Sequence, residues 1–179
     1  GTASSGTIPG ENKRQTITSS VTSYDKSEKR TDCTTNTGSC TYAEEMTNYA
    51  NWFAYYRTRM QLMKTAASQA FANVDKPEDV AAGVSRFRVG YMSLNNNTGS
   101  DFLNLDEFKL DHKSAWYAEL FAASPYSGTP LRVALSKAGR LYAGRLTSVN
   151  GVTATDPVQY SCQQNFTILS TDGFWNSGE

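Results

Sequence analysis

Two residues of this chain stand where a ligand-binding side chain is expected. Thr129 lies in the loop Ser127-Gly128-Thr129-Pro130, immediately ahead of a leucine- and alanine-rich stretch, and Asp172 follows the apolar run NFTILS at residues 165–170. If that stretch is a helix and that run a strand of an open α/β sheet, both fall at the carboxyl edge of the sheet, where such folds bind ligands. Each also has a purely structural reading. Thr129 can cap its helix through its hydroxyl, and Asp172-Gly173 can simply turn the chain. Cys33 and Cys40 flank the polar segment TTNTGS, which is short and turn-rich enough to bring two sulfurs together. A disulfide is the expected state, with free thiols as one alternative. A zinc site is the other, and it lacks a C-x-x-C pair or a second ligand pair. A disulfide would place the chain in an oxidising compartment. Cys162 is then odd, either a buried thiol or the partner of a cysteine elsewhere. His112, the single histidine, is expected to be an exposed helix-start residue. No G-x-S-x-G elbow, P-loop or G-x-G-x-x-G stands anywhere in the chain, so the motifs for nucleophilic, phosphate or dinucleotide chemistry are missing.

The elements that must position these residues are legible from periodicity. Residues 1–42 are rich in Ser, Thr, Asn and Gly and read as an insertion or peripheral hairpin, with a strand hint at 16–24. Residues 1–10 read as a cut end, which makes the chain a mature or excised fragment. The core is expected to span 43–179. Tyr49, Phe53, Tyr56, Met60, Met63, Ala67, Ala70 and Val74 recur at spacings of four and three, one face of a helix over 43–74 about 45 Å long. Thr41 and Glu44 form a capping-box pattern ahead of it, and Pro77 ends it. Trp52, Tyr55 and Tyr56 widen an apolar stripe expected to face the core. Residues 86–94 (RFRVGYMSL) read as a strand covered on both faces, and NNNTGS at 95–100 as a turn. Residues 111–123 read as a second helix and 129–138 as the start of a third, with Pro130 at its first position. Residues 144–160 read as a loop or edge hairpin, and 165–170 as a buried strand. Helices and strands in this alternation predict an α/β fold with a doubly wound, mostly parallel sheet.

The chain carries 17 basic and 17 acidic residues. That balance offers no basic face for nucleic acid and no polybasic anchor for a membrane. No apolar run reaches the roughly 18 residues that span a bilayer. The lack of a nucleophile with an activating partner, or of enough ligands for a catalytic ion, argues against an enzyme.

Thr129-Pro130-Leu131 before its helix, with Thr171-Asp172-Gly173 after its apolar strand, resembles the second and third metal motifs of von Willebrand factor A-type domains. The strings NYANWFAYYRTR (48–59), RVGY (88–91), GTPLRVAL (128–135) and CQQNFTILSTDGFWN (162–176) are similar to the PilC/PilY family of type IV pilus-associated bacterial proteins. The likeness runs from about Asp32 to Asn176. It implies a Rossmann-type von Willebrand factor A-like domain, secreted to the pilus tip, outer surface or periplasm. It also implies a role in pilus biogenesis, adhesion and surface sensing, with minor pilins and a host or surface receptor as partners. The alternative implied role is a structural module joining minor pilins to a C-terminal propeller, with a vestigial metal site. The family would bind Mg²⁺ or Ca²⁺ through Thr129, Asp172 and an Asp-x-Ser-x-Ser loop. No such loop occurs here; Asp25-Lys26-Ser27-Glu28-Lys29 lacks the last serine and puts lysines where the cation would sit. The first central strand is therefore expected upstream of Gly1, the site is partial, and this fragment alone should hold no ion tightly.

Overall fold

The computed structural model describes residues 15–75, 78, 85–95, 101–126, 128–171 and 173–174. Two compact units divide the chain, Gly1–Arg57 and Thr58–Glu179.

In the first unit, β1 (Ser23–Asp25) pairs antiparallel with β2 (Ser39–Thr41), which runs directly into helix α1 (Tyr42–Tyr55). The turn residue Gly38, at φ 83°, adopts a left-handed conformation that a side chain would strain. Tyr24, Cys33 and Cys40 are buried, and the Tyr24 hydroxyl donates to the Thr18 carbonyl at 2.6 Å while accepting from its N–H. The expected capping box is present. Thr41 Oγ1 accepts from the Glu44 N–H at 3.2 Å, and the Glu44 carboxylate accepts from the Thr41 N–H at 2.9 Å.

The single helix expected over 43–74 is two helices. α1 ends at Tyr55, and α2 (Arg59–Ala72) starts afresh with Thr58 as its N-cap. Thr58 and Gln61 form a second capping box, an arrangement that satisfies the orphan N–H groups of a new helix and so stabilises a break. The apolar spacing runs straight through that break. α1 has no buried residue, and Tyr49, Trp52, Phe53, Tyr55 and Tyr56 are exposed, contrary to the core-facing stripe expected.

The second unit is built around the hairpin of β3 (Arg88–Met92) and β4 (Phe102–Glu107). Both of its faces are covered, as the mostly apolar sequence of β3 predicts. On one side Val89, Tyr91 and Leu103 meet Phe108, Trp116 and Leu120, with Met63, Ala67 and Phe71 of α2. Phe108 and Trp116 are tilted edge-to-face at 5.5 Å. Trp116 and Leu120 come from α3 (Leu110–Ala122). On the other side Phe102 and Leu105 meet Leu141 of α4 (Leu131–Tyr142) and Val149. Val149 belongs to the hairpin β5 (Ser148–Val149) and β6 (Val152–Thr153). Its turn, Asn150-Gly151, has φ of 52° and 81°, the conformation an Asn-Gly pair tolerates best. The loop or edge hairpin expected at 144–160 takes the hairpin form. Lys113 closes the other end of α2, donating to the carbonyls of Val74 at 2.7 Å and Ala72 at 3.2 Å.

Among the described residues every strand pairs antiparallel in a two-stranded sheet. The doubly wound, mostly parallel sheet expected from the sequence is not formed by them. The physical reason is β4, which the sequence reading passed over. It follows β3 after a short connection, and a parallel pair would need a crossover of about a dozen residues or more. Residues 165–170, expected as a buried strand, carry no regular structure. Phe166 and Ile168 are 75% and 77% exposed.

Candidate functional site

Thr129 stands just before α4, but it is not the cap of that helix. The N-cap is Pro130, and it has no side-chain capping bond. The Thr129 carbonyl accepts from the Leu131 N–H at 2.9 Å. Three residues past β3, the Asn95 side-chain amide donates to the carbonyls of Tyr126 and, at 3.3 Å, Gly128. This amide ties the loop carrying Thr129 to the carboxyl end of β3. Asp172 lies outside the described residues, as do Ser127, Pro77, Asn96 and Trp175. The neighbouring Thr171 hydroxyl is 3.4 Å from the Gly173 N–H, a local turn contact. As donors, the Thr129 hydroxyl and an Asp172 carboxylate suit a hard cation by type, but they supply only two of the roughly six oxygens such ions take.

An acidic pair that sequence reasoning missed lies at the same end of β3. Ser93 pairs with Asp101 twice, through its N–H on the Asp101 carbonyl at 3.0 Å and through its hydroxyl on Oδ1 at 3.0 Å. Burial, followed by the charge of Asp101, pushes the Glu119 carboxyl up. Burial, then the charges of Asp101 and Glu119, pushes the Tyr91 phenol up. Sequence offers little signal here, since the three elements bearing these groups meet only in the folded unit.

The other side chains singled out above resolve differently. Cys33 and Cys40 form a disulfide with Cα atoms 5.4 Å apart. Cys33, Cys40 and Glu45 could bring ligand atoms within 4.8 Å of one another, but with the sulfurs bonded to each other no thiolate is offered. Glu45 instead takes Arg30, at 2.8 and 3.1 Å, and Arg30 also grips Asp32 at 2.8 and 3.0 Å. These hydrogen bonds hold the Arg30 guanidinium firmly protonated and the Asp32 carboxyl below its ordinary range. Glu44 anchors the disulfide loop from below. Its Oε1 accepts from the N–H groups of Thr34 and Thr35 at 2.8 and 2.9 Å, and its Oε2 from both the N–H and hydroxyl of Thr41 at 2.9 Å. The Thr41 N–H, then those of Thr35 and Thr34, pull its carboxyl down to about 2. Cys162 is exposed, so the buried-thiol reading fails. His112 begins α3 but is half-buried rather than exposed, with Nε2 2.7 Å from the Val89 carbonyl. It is a tie between helix and strand.

Comparison with known proteins brings these observations to a class. Curated proteins similar to the chain include type IV pilus biogenesis factors. They are PilY1 of Pseudomonas aeruginosa, 34% identical over 143 residues in strain PAO1 and 34% over 165 residues in strain PAK. PilY1 of strain UCBPP-PA14 is 33% identical over 129 residues. The matches cover 75, 81 and 72% of this chain but only 12, 13 and 11% of those proteins. This similarity supports the PilC/PilY resemblance carried by the motifs. No family profile and no solved structure matches.

Proposed function

We propose that this chain is a segment of a PilY1-like type IV pilus biogenesis factor and serves as a non-enzymatic binding and adhesion module at the pilus tip or outer cell surface. The observation that carries the reading is the 34% identity maintained over 75–81% of the chain. Minor pilins and a host or surface receptor are its partners in this reading, and the disulfide suits an exported protein. No described helix is long and apolar enough to cross a membrane.

The fold proposal is a von Willebrand factor A-like domain whose central parallel strands lie in chain beyond these residues. Two features support it. Asn95 draws the Thr129 loop to the carboxyl end of β3, the edge where open α/β sheets take ligands. The apolar residues 166–169 remain exposed, as a strand does before its sheet is complete. Thr129 and Asp172 then contribute a hydroxyl and a carboxylate to a divalent ion, Mg²⁺ or Ca²⁺, with the remaining oxygens supplied by residues outside this chain.

The test is Asp172→Ala in the full-length protein, scored separately for piliation and for adhesion. Adhesion lost with piliation intact supports an ion-dependent binding site. Both unchanged supports the second reading, a structural linker between minor pilins and a propeller with a vestigial site. Piliation lost without any Mg²⁺ or Ca²⁺ dependence counts against both.

A further inference from the structure

We propose that Asn95 is a positioning residue for the ion site: its side-chain amide sets the loop that presents Thr129 and so controls the affinity for a divalent ion. The inference rests on the ion-site reading above and adds to it a residue that touches no ion. α3 ends at Ala122 and α4 begins at Leu131, and the described residues between them carry no regular structure. Pro125 and Pro130 in this loop have no N–H to give, so the loop is held largely through its carbonyls. The Asn95 amide nitrogen donates to two of them, those of Tyr126 and, at 3.3 Å, Gly128. Two bonds from one nitrogen to carbonyls two residues apart fix the direction of the intervening backbone as well as its place. The Thr129 carbonyl accepts from the Leu131 N–H at 2.9 Å. With these three carbonyls turned to donors inside the chain, the oxygen this loop brings to a cation is a side-chain hydroxyl.

The hairpin fixes Asn95 in turn. Ser93 carries the ladder past the end of β3, with its N–H on the Asp101 carbonyl and its hydroxyl on Asp101 Oδ1, both at 3.0 Å. Asn95 follows two residues later and is half-buried. The Thr129 loop is therefore referred to a packed hairpin rather than to another loop. A ligand held in place before binding costs less to order when the ion arrives. Outer groups that orient metal ligands are worth about 10–100-fold in affinity. An amide suits this task because it donates hydrogen bonds without charge. A lysine or arginine could make the same bonds, but it would set a positive charge beside the cation.

The test uses the full-length protein and titrates Mg²⁺, then Ca²⁺, by calorimetry. Asn95→Ala, which changes no charge, should weaken Mg²⁺ binding by about tenfold. Asn95→Gln, which keeps the amide on a longer stem, should fall between that variant and the parent. In the ion-free protein the Gly128 and Leu131 amides should exchange faster in Asn95→Ala, with the parent's circular dichroism retained. Thr129→Ala should also weaken binding, and adding Asn95→Ala to it should cost nothing more, since a residue that acts through Thr129 then has nothing to position. Unaltered Mg²⁺ affinity in Asn95→Ala, even with faster exchange, would reduce the amide to a loop tie and overturn the proposal. So would a further tenfold loss when the two substitutions are combined. A Thr129→Ala protein that binds both ions as the parent does, or a parent that binds neither, removes the ion-site reading itself and this proposal with it. Neither of those results can arise from a failure at Asn95 alone.

Discussion

Glu44 shows how much local order one carboxylate can impose. Four donors from three residues converge on its two oxygens, so it caps α1 and also fastens the start of the disulfide loop. Its folded carboxyl titrates at about 2 against an ordinary 4.5. A depressed carboxyl stabilises the fold fully above its unfolded value, and that contribution is lost as pH falls through the folded one. Wild-type protection of the Thr34, Thr35 and Thr41 amides, read by hydrogen exchange, should therefore decline between pH 4.5 and about 2. In Glu44→Gln the protection should be weaker at neutral pH and should lose most of that pH dependence. The capping half of this role is written in the sequence as Thr41-x-x-Glu44. The loop-fastening half is not, because Thr34 and Thr35 reach the carboxylate only once the disulfide folds the segment back over the helix start.

At the scale of elements, Gly90 decides whether the central hairpin can form. A Cβ built there would lie 2.9 Å from the Leu103 carbonyl oxygen and 3.0 Å from the Leu105 side chain. The position coincides with the register irregularity between Val89 and Tyr91, and the Gly90 carbonyl accepts from Trp116 Nε1 at 3.2 Å. Because the nearest atom is backbone, the strand cannot yield as a flexible side chain would. Gly90→Ala should destabilise the protein by about 1–3 kcal/mol, the range for overpacking a filled core, measured by urea denaturation. An unchanged midpoint would show that β3 and β4 part easily. Here the sequence showed a strand with both faces apolar, and the structure adds the reason a glycine interrupts it. The break between α1 and α2 is a similar case. Apolar spacing alone implied one helix, and Thr58-x-x-Gln61 was a visible start signal that the spacing outweighed.

Across the whole molecule the three cysteines separate by environment. Cys33 and Cys40 are buried and bonded to each other, while Cys162 is exposed with a free thiol. Alkylation of the folded chain without reductant should add one label, at Cys162, and reduction under denaturing conditions should add two more, each read by mass spectrometry. Labels on Cys33 or Cys40 in the first step would remove the disulfide. The exposed apolar residues Tyr49 and Trp52 in α1 and Phe166 and Ile168 near the carboxyl end belong to a chain that spans 11–13% of its relatives. Surfaces of this kind are covered in most folded proteins.

Short-range chemistry was settled by the chain itself. The Thr41-x-x-Glu44 cap, the helices at 110–122 and 131–142, and the pairing of Cys33 with Cys40 all depend on residues a few positions apart, whose geometry is dictated by covalent reach and backbone hydrogen bonding. Tertiary structure alone decided which apolar faces were covered. Periodicity says that a face is apolar, but burial requires a partner surface, and α1 and residues 165–170 have the pattern without the cover. The same limit applies to the site, since Thr129 could be read as a candidate from its loop, while its position beside β3 depends on an amide thirty-odd residues earlier that only folding brings to it.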